Sequence, residues 1–361
     1  MKILVMHATA GAGHQKAAEA IYNALKKYTG HEVVCADVLD KTSPAFKDLY
    51  RKSYFFMVAK VPWLWQISFG FLDWNIAQPL MYMGRRVYNG LNTRQLRDFL
   101  IKEQFDWIIS THFMPIEVVS ALKKSDKIKS RLIACVTDFD VHHIWMGSGV
   151  DYYAVATEWT KRKIVRMGVH ANKVFITGIP TDEKFSQVKN RSELKRKLGI
   201  EDGKFTALIA TGSFGIGPIE EIIKAVPGTQ FVVVCGHGEK LFKTLTEKKY
   251  PNARVFGLVN NMDEMMAVSD VMVTKPGGLS ISEALVVGLP MIFFSAIPGQ
   301  ETNNIKVLNS FGIGAGPATV PQIVRLLNEF QKSPEKLAAA KERINAMARR
   351  NSVKEIVELI R

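Results

Sequence analysis

Several things are scarce in this 361-residue chain, and each scarcity removes a class of function. Its three cysteines, Cys35, Cys135 and Cys235, stand alone beside apolar residues with no CxxC pair. Neither a disulfide framework nor a zinc site is therefore supported, and a reducing cytosol is the expected setting. No clean run of about 18 apolar residues occurs, so no membrane-spanning helix is expected. The longest uncharged run near the C-terminus, 284–300, is broken by Gly288, Pro290 and Pro298. The N-terminus is too briefly apolar for a secretion signal, lacks a cleavage pattern, and reads as a strand entering a Gly-rich turn. Acids are scarce too, 34 against 48 Lys and Arg, which leaves a net charge of +14. That excess predicts an anionic partner, whether nucleic acid, acidic membrane or phosphorylated substrate. Residues 1–180 hold 24 bases and 15 acids (+9), and the remainder holds 24 and 19 (+5), so the excess sits mainly in the first half.

What is present is a strong α/β rhythm. Strand-like apolar runs at 2–8, 31–37, 107–111, 131–137, 152–156 and 173–178 alternate with amphipathic stretches. The rhythm restarts at 205–212, 230–236, 253–257, 271–275 and 290–295. Such alternation predicts parallel sheets with crossover helices. Each series opens with a strand running into a glycine-containing loop, at Gly11–His14 and at Gly212–Gly217. The expected architecture is α/β, with two Rossmann-like domains facing across a cleft and joined near Gly178-Ile179-Pro180. Residues 1–180 would form one domain, 181–340 the other, and a helix at 341–361 would pack back on the first. Ligands in such sheets bind at the carboxyl ends of the strands.

Residues 50–88 break the rhythm. Eleven of the 35 aromatics fall there, including Trp63, Trp65 and Trp74, beside Arg51, Lys52, Lys60, Arg85 and Arg86 and the single acid Asp73. Aromatic rings with bases suit a membrane interface, where rings sit at headgroup depth and cations meet anionic lipid. An aromatic core helix pair and a base-stacking nucleic-acid surface are the other readings of the same composition.

Three stretches carry candidate chemistry. In the first, a strand-to-helix turn with Gly11 and Gly13 exposes backbone N–H groups and a positive helix end. Lys16 occupies the third glycine position of a dinucleotide fingerprint, and no P-loop spacing is present. His14 at the helix entrance is expected to have a depressed pKa, so that neutral imidazole accepts a proton from an attacking hydroxyl; otherwise it only caps the turn. The second stretch, Thr137 to Trp145, follows a strand and contains Asp138-x-Asp140, His142 and His143. The spacing matches a metal-binding DxD, but a carboxylate orienting a histidine or a substrate hydroxyl fits as well. The third runs from Val259 through Pro276-Gly277-Gly278, Ser280 and Glu283 to Gln300 and Glu301. Its glycine pair leads into a helix that suits a diphosphate, Glu283 about one and a half turns later suits ribose hydroxyls, and the polar loop suits a sugar ring.

Taken together, Gly11-Ala-Gly13-His14, Thr137-Asp138-Phe139 with His142 and Trp145, Lys275-Pro-Gly-Gly278, Glu283 and Pro298-Gly-Gln-Glu301 resemble monogalactosyldiacylglycerol synthases and bacterial processive diacylglycerol glucosyltransferases. These are relatives of the transferase that adds N-acetylglucosamine to lipid I. The resemblance covers about residues 3–310 and is weakest at 40–100. It implies a GT-B fold, an inverting mechanism without cofactor or catalytic metal, and peripheral attachment at the cytoplasmic face of the membrane. It implies His14 as general base, with Asp138 beside it and Gly11, Gly13, His142 and Trp145 near the acceptor. Gly212, Ser213, Phe214, Pro276, Gly277, Gly278 and Ser280 would bind the UDP-sugar donor, with Glu283 on the ribose, Val259 near the uracil, and Gln300 with Glu301 on the sugar. Trp63, Trp65, Trp74, Arg85 and Arg86 would face anionic lipid. The chain departs from plant-type members at Gln15-Lys16, where many of those have Arg. The expected partners are a UDP-sugar, diacylglycerol and anionic lipids, with no nucleic acid; glucose is favoured over galactose because the segments sit closer to the bacterial enzymes. N-acetylglucosaminyl transfer to a polyprenyl-linked acceptor, a UDP-sugar 2-epimerase and a nucleotide-sensing membrane module are the alternatives.

Overall fold

The computed structural model describes residues 1–9, 11–61, 63–64, 92–212, 215 and 217–360. The expectations placed on Trp65, Trp74, Arg85, Arg86, Ser213 and Phe214 lie outside them. The chain divides into two compact units, one of Met1–Glu183, Ile297–Asn303 and Asn351–Arg361, the other of Lys184–Ala296 and Asn304–Arg350. The boundaries therefore fall at 183 and 350 rather than at 180 and 340, and a short internal piece groups with the first unit.

The first unit opens with β1 (Lys2–His7), α1 (Ala12–Tyr28), β2 (Glu32–Asp37) and α2 (Pro44–Lys60). Helix α3 (Arg94–Glu103), β3 (Trp107–Ser110), α4 (Phe113–Lys124) and β4 (Arg131–Cys135) follow. Strand β5 (Tyr152–Val155), α5 (Glu158–Arg166) and β6 (Val174–Ile176) complete the sheet. All neighbours are parallel, in the order β2-β1-β3-β4-β5-β6. A parallel sheet is covered on both faces, which is why its strands read as nearly continuous apolar runs. The two-residue strand period sorts them. Leu4, Met6, Ile108, Leu132 and Ala134 pack on one face with Leu96, Leu100, Met114 and Val119, from α3 and α4. Ile3, Val5, Ile109, Ile133 and Cys135 pack on the other with Ala18, Ile21 and Leu25 of α1. That second layer also contains Val353, Ile356, Val357 and Ile360 from the last residues of the chain.

Local signals set the helix ends. Ser43 accepts from the Phe46 N–H at 3.3 Å and Pro44 follows at the first helical position, so α2 begins there. Helix α1 has small alanines on its inner face for close approach to the sheet, and Lys26 and Lys27 complement the negative end of its dipole.

The second unit contains α6 (Arg191–Lys197), β7 (Thr206–Ala210), α7 (Ile219–Ala225), β8 (Gln230–Val234) and α8 (Glu239–Lys248). It continues with β9 (Ala253–Phe256), α9 (Met262–Ala267), β10 (Val271–Thr274), α10 (Gly278–Val287) and β11 (Met291–Phe293). Helix α11 (Gln300–Ser310) starts among the residues that group with the first unit, and α12 (Val320–Lys332) and α13 (Pro334–Met347) belong to the second. The parallel order is β11-β10-β7-β8-β9. Ile209, Val233, Val273 and Ile292 pack on one face against Ile222 and Ile223 of α7 and Ile323 and Leu327 of α12. The terminal helix α14 (Ser352–Glu358) belongs to the first unit. Cys35, Cys135 and Cys235 are free thiols. Among the described residues, no helix is long and apolar enough to cross a membrane.

Candidate active site

An open parallel sheet offers a crevice where its strand order reverses, outside the carboxyl ends of the strands. In the first sheet that point lies between β1 and β3. His14 sits in the first turn of α1, just beyond β1, and Thr111 and His112 follow β3 directly. The His14 Nδ1 lies 2.7 Å from the Thr111 carbonyl oxygen. A carbonyl only accepts, so Nδ1 carries the hydrogen and Nε2 keeps the lone pair. The Thr137 hydroxyl, after β4, is 2.9 Å from the same nitrogen, and the Thr111 hydroxyl donates back to the His14 carbonyl at 2.8 Å. The imidazole is thus locked in one tautomer by a backbone carbonyl, as a carboxylate does in a catalytic triad.

Its surroundings keep it neutral. The His112 ring meets it edge-on at 4.7 Å and the Trp145 ring lies 6.5 Å away. Burial pulls the His14 pKa from 6.5 to about 4, and repulsion from His7 acts in the same direction against the Thr111 bond. The sequence pointed to the helix end as the cause; the lowering comes chiefly from desolvation. His112 and His7 are also lowered, in both cases mainly by burial.

The Asp138 carboxylate is buried and accepts from the Gln300 side-chain amide at 3.1 and 2.9 Å. With its amide nitrogen directed at Asp138, the Gln300 carbonyl oxygen is left as an oriented acceptor. Asp140 pairs with Lys163 at 2.8 Å and accepts from Asn303 at 3.1 Å. The DxD spacing is therefore read here by a lysine and two amides. Glu301, expected on the sugar, accepts from the Ile297 N–H at 2.7 Å and closes its own turn. His142 is buried and caps the short turn His143–Trp145 by accepting from the Ile144 N–H at 3.0 Å. Gly11 is the extended residue before α1, and a Cβ there would meet nothing within 4 Å; Gly13 lies half-buried one residue before His14.

In the second sheet the order reverses between β7 and β10. Gly212 leaves β7 with a left-handed φ of 67°. Gly215 must also be glycine: its φ is 63°, and a Cβ would come within 2.7 Å of the Gly238 Cα. After β10, buried Asn304 donates to the Pro276 carbonyl at 3.1 Å and holds the turn into α10. Gly277 supplies no side-chain cap to that helix and its first turn has no acid, and an uncapped helix N-terminus of this kind suits an anion. Ser280 and Glu283 are half-buried farther along it, and Val259 is half-buried in the loop after β9.

Known proteins match both halves of the chain. The profile of the monogalactosyldiacylglycerol (MGDG) synthase family matches residues 14–181, and that of the glycosyltransferase family 28 C-terminal domain matches 212–360. A "processive diacylglycerol beta-glucosyltransferase" of Bacillus cereus (strain ATCC 10987 / NRS 248) is 30% identical over 380 residues, covering 99% of this chain and 93% of its own. The chain belongs to this glycosyltransferase family. MurG of Acinetobacter baumannii superposes with a TM-score of 0.63 at 14% identity, over 100% of this chain and 99% of its own. Anabaena Alr3699/HepE, solved with UDP, gives 0.59 at 14%, over 100% and 99%. At such identities the likeness speaks for the fold, and the fold is GT-B.

Two residues around His14 carried no signal in the sequence. Thr111 acts through its carbonyl, which any residue possesses, and His112 looks like an ordinary helix cap, accepting from the Met114 N–H at 3.1 Å. Their one usable cue was position, immediately after a buried strand.

Proposed function

We propose that this glycosyltransferase moves glucose from UDP-glucose to the primary hydroxyl of 1,2-diacylglycerol, with inversion and without a catalytic metal, giving a β-linked glycolipid. The observation that carries this reading is the locked tautomer of His14, whose Nε2 lone pair stands ready at the first turn of α1. Nε2 takes the hydroxyl proton as the glycerol oxygen attacks C1. The C1–O bond to the diphosphate breaks on the opposite face, and UDP leaves with the electron pair. The α10 N-terminus supports the diphosphate charge as it develops, which is work a metal does elsewhere. Glu283 would receive the ribose hydroxyls, and the Gln300 carbonyl, aimed by Asp138, a hydroxyl of the sugar.

Radiolabelled UDP-glucose, UDP-galactose and UDP-N-acetylglucosamine, each incubated with diacylglycerol vesicles and extracted, test the reading. Label enters the organic phase from UDP-glucose foremost, and a chelator leaves the rate unchanged. Free interconverted UDP-sugar without lipid label would make the protein an epimerase instead.

Peripheral attachment to the cytoplasmic face of an anionic membrane belongs to the same reading. Leu49, Phe56 and Trp63 are 59%, 55% and 61% exposed. Such large side chains on a strongly basic chain fit an acidic interface. Trp63→Glu is expected to weaken co-sedimentation with phosphatidylglycerol-containing vesicles while the far-UV spectrum stays the same. Unchanged binding would remove Trp63 from the interface.

A further inference from the structure

Helix α2 faces two ways. Leu49 and Phe56, about two turns apart, lie on its exposed side, with Trp63 following just past its end. Its other side turns toward the base. The Tyr50 ring lies 6.3 Å from His112, the ring that meets His14 edge-on. The next residue, Arg51, donates from Nε to the Thr9 carbonyl at 3.0 Å and pairs with Asp37 at 3.3 Å. The second Asp37 oxygen accepts from the N–H of Thr9 at 3.3 Å and of Leu39 at 3.0 Å. Both backbone polar groups of Thr9 are thus held by one ion pair, and Thr9 starts the connection from β1 to His14.

We propose that Arg51 is a positioning residue for glycosyl transfer, through which contact of the Leu49–Phe56–Trp63 surface with a lipid bilayer sets the Thr9 loop and the base behind it. The inference rests on the acceptor being a bilayer lipid. The chemistry favours arginine in this role, because a planar fork holds a carbonyl and a carboxylate at once, whereas a lysine ammonium on a flexible stem fixes neither direction. A shift of α2 against the sheet therefore moves the loop with it. Adjacent Lys52 points outward and, among the described residues, pairs with exposed Asp48 at 3.6 Å, so the connection belongs to one face of the helix.

Arg51→Lys keeps the charge and loses the fork. On vesicles of phosphatidylcholine, phosphatidylglycerol and diacylglycerol, this variant is expected to bind as the wild type does and to keep its KM for UDP-glucose. Its kcat falls roughly tenfold, the scale of a small misalignment at a reacting centre. On monomeric short-chain diacylglycerol the wild type turns over more slowly than on vesicles, and in Arg51→Lys this bilayer advantage shrinks. Asp37→Asn gives the same kcat-only loss from the other side, and the double variant is no worse than either single, as for one coupled unit. Lys52→Gln keeps the wild-type kcat. A wild-type kcat in Arg51→Lys, an intact bilayer advantage, additive losses, or the same loss in Lys52→Gln each overturns the positioning role. Wild-type protein that makes no labelled glycolipid overturns the functional reading and this proposal together, so the two failures are told apart.

Discussion

His14→Asn is expected to lower kcat for glycolipid formation by about 10²–10⁴-fold and to leave UDP binding intact, the range for loss of a positioned general base. Asparagine is the sharper choice over alanine. Its amide nitrogen falls near the place of Nδ1 and still donates to the Thr111 carbonyl, so the loop and the first turn of α1 keep their tie to β3. What disappears is the Nε2 lone pair. His14→Ala removes both and should be no more active. Single-turnover transfer to diacylglycerol, with UDP affinity measured calorimetrically on the same samples, reads the two effects separately. Wild-type turnover in His14→Asn would place the base elsewhere. The low pKa sharpens the expectation further. A base of pKa about 4 is neutral throughout the physiological range, so the acid limb of kcat/KM should lie near pH 4 rather than 6.5. So weak a base gains its driving force only once the attacking oxygen has begun to bond to C1 and its hydrogen has become acidic. Proton transfer therefore runs with bond formation and not ahead of it.

How much of this was legible in the sequence follows from where the information lies. The eleven strands were visible because a parallel strand is buried on both faces: IILVM-type runs such as those around Leu4, Ile108 and Val233 have no polar interruption until their carboxyl ends. The glycines at 11, 13, 212 and 277 mark those ends, and binding loops must lie there, so His14 and the α10 N-terminus could be singled out from local pattern alone. The partners could not. The Thr111 carbonyl, the Asp138–Gln300 contact across 162 residues and the Arg51–Thr9 contact across 42 are products of tertiary approach. Residue types at these positions have other ordinary uses. Gln300 and Glu301 illustrate the limit: both read as sugar ligands from a polar loop, yet one is aimed by Asp138 and the other spends an oxygen on the Ile297 N–H.

The first unit should lose stability as pH falls from about 6.5 toward 4, before its carboxylates titrate in bulk. A histidine whose folded pKa lies below its unfolded value of 6.5 makes the unfolded chain the better proton binder between the two values. Its contribution is complete above pH 6.5 and is lost as pH falls through the window, levelling off below the folded value. His14, with a folded pKa of about 4, accounts for about 3 kcal/mol across that window. His7 and His112 are shifted the same way and add to it. The molecule offers a selective probe, because all six tryptophans precede residue 160, within the first unit. Urea unfolding followed by tryptophan fluorescence should therefore show a midpoint clearly lower at pH 4.5 than at pH 7.5. His14→Asn, which keeps the bond to Thr111 and has no group to titrate, should narrow the gap between the two midpoints. An equal gap in the variant would mean that His14 is no more reluctant to take a proton in the folded protein than in the unfolded chain. On the proposed mechanism the same measurement bears on catalysis, since the desolvation that makes protonation costly for the fold is what would keep the lone pair on Nε2 free for the acceptor hydroxyl.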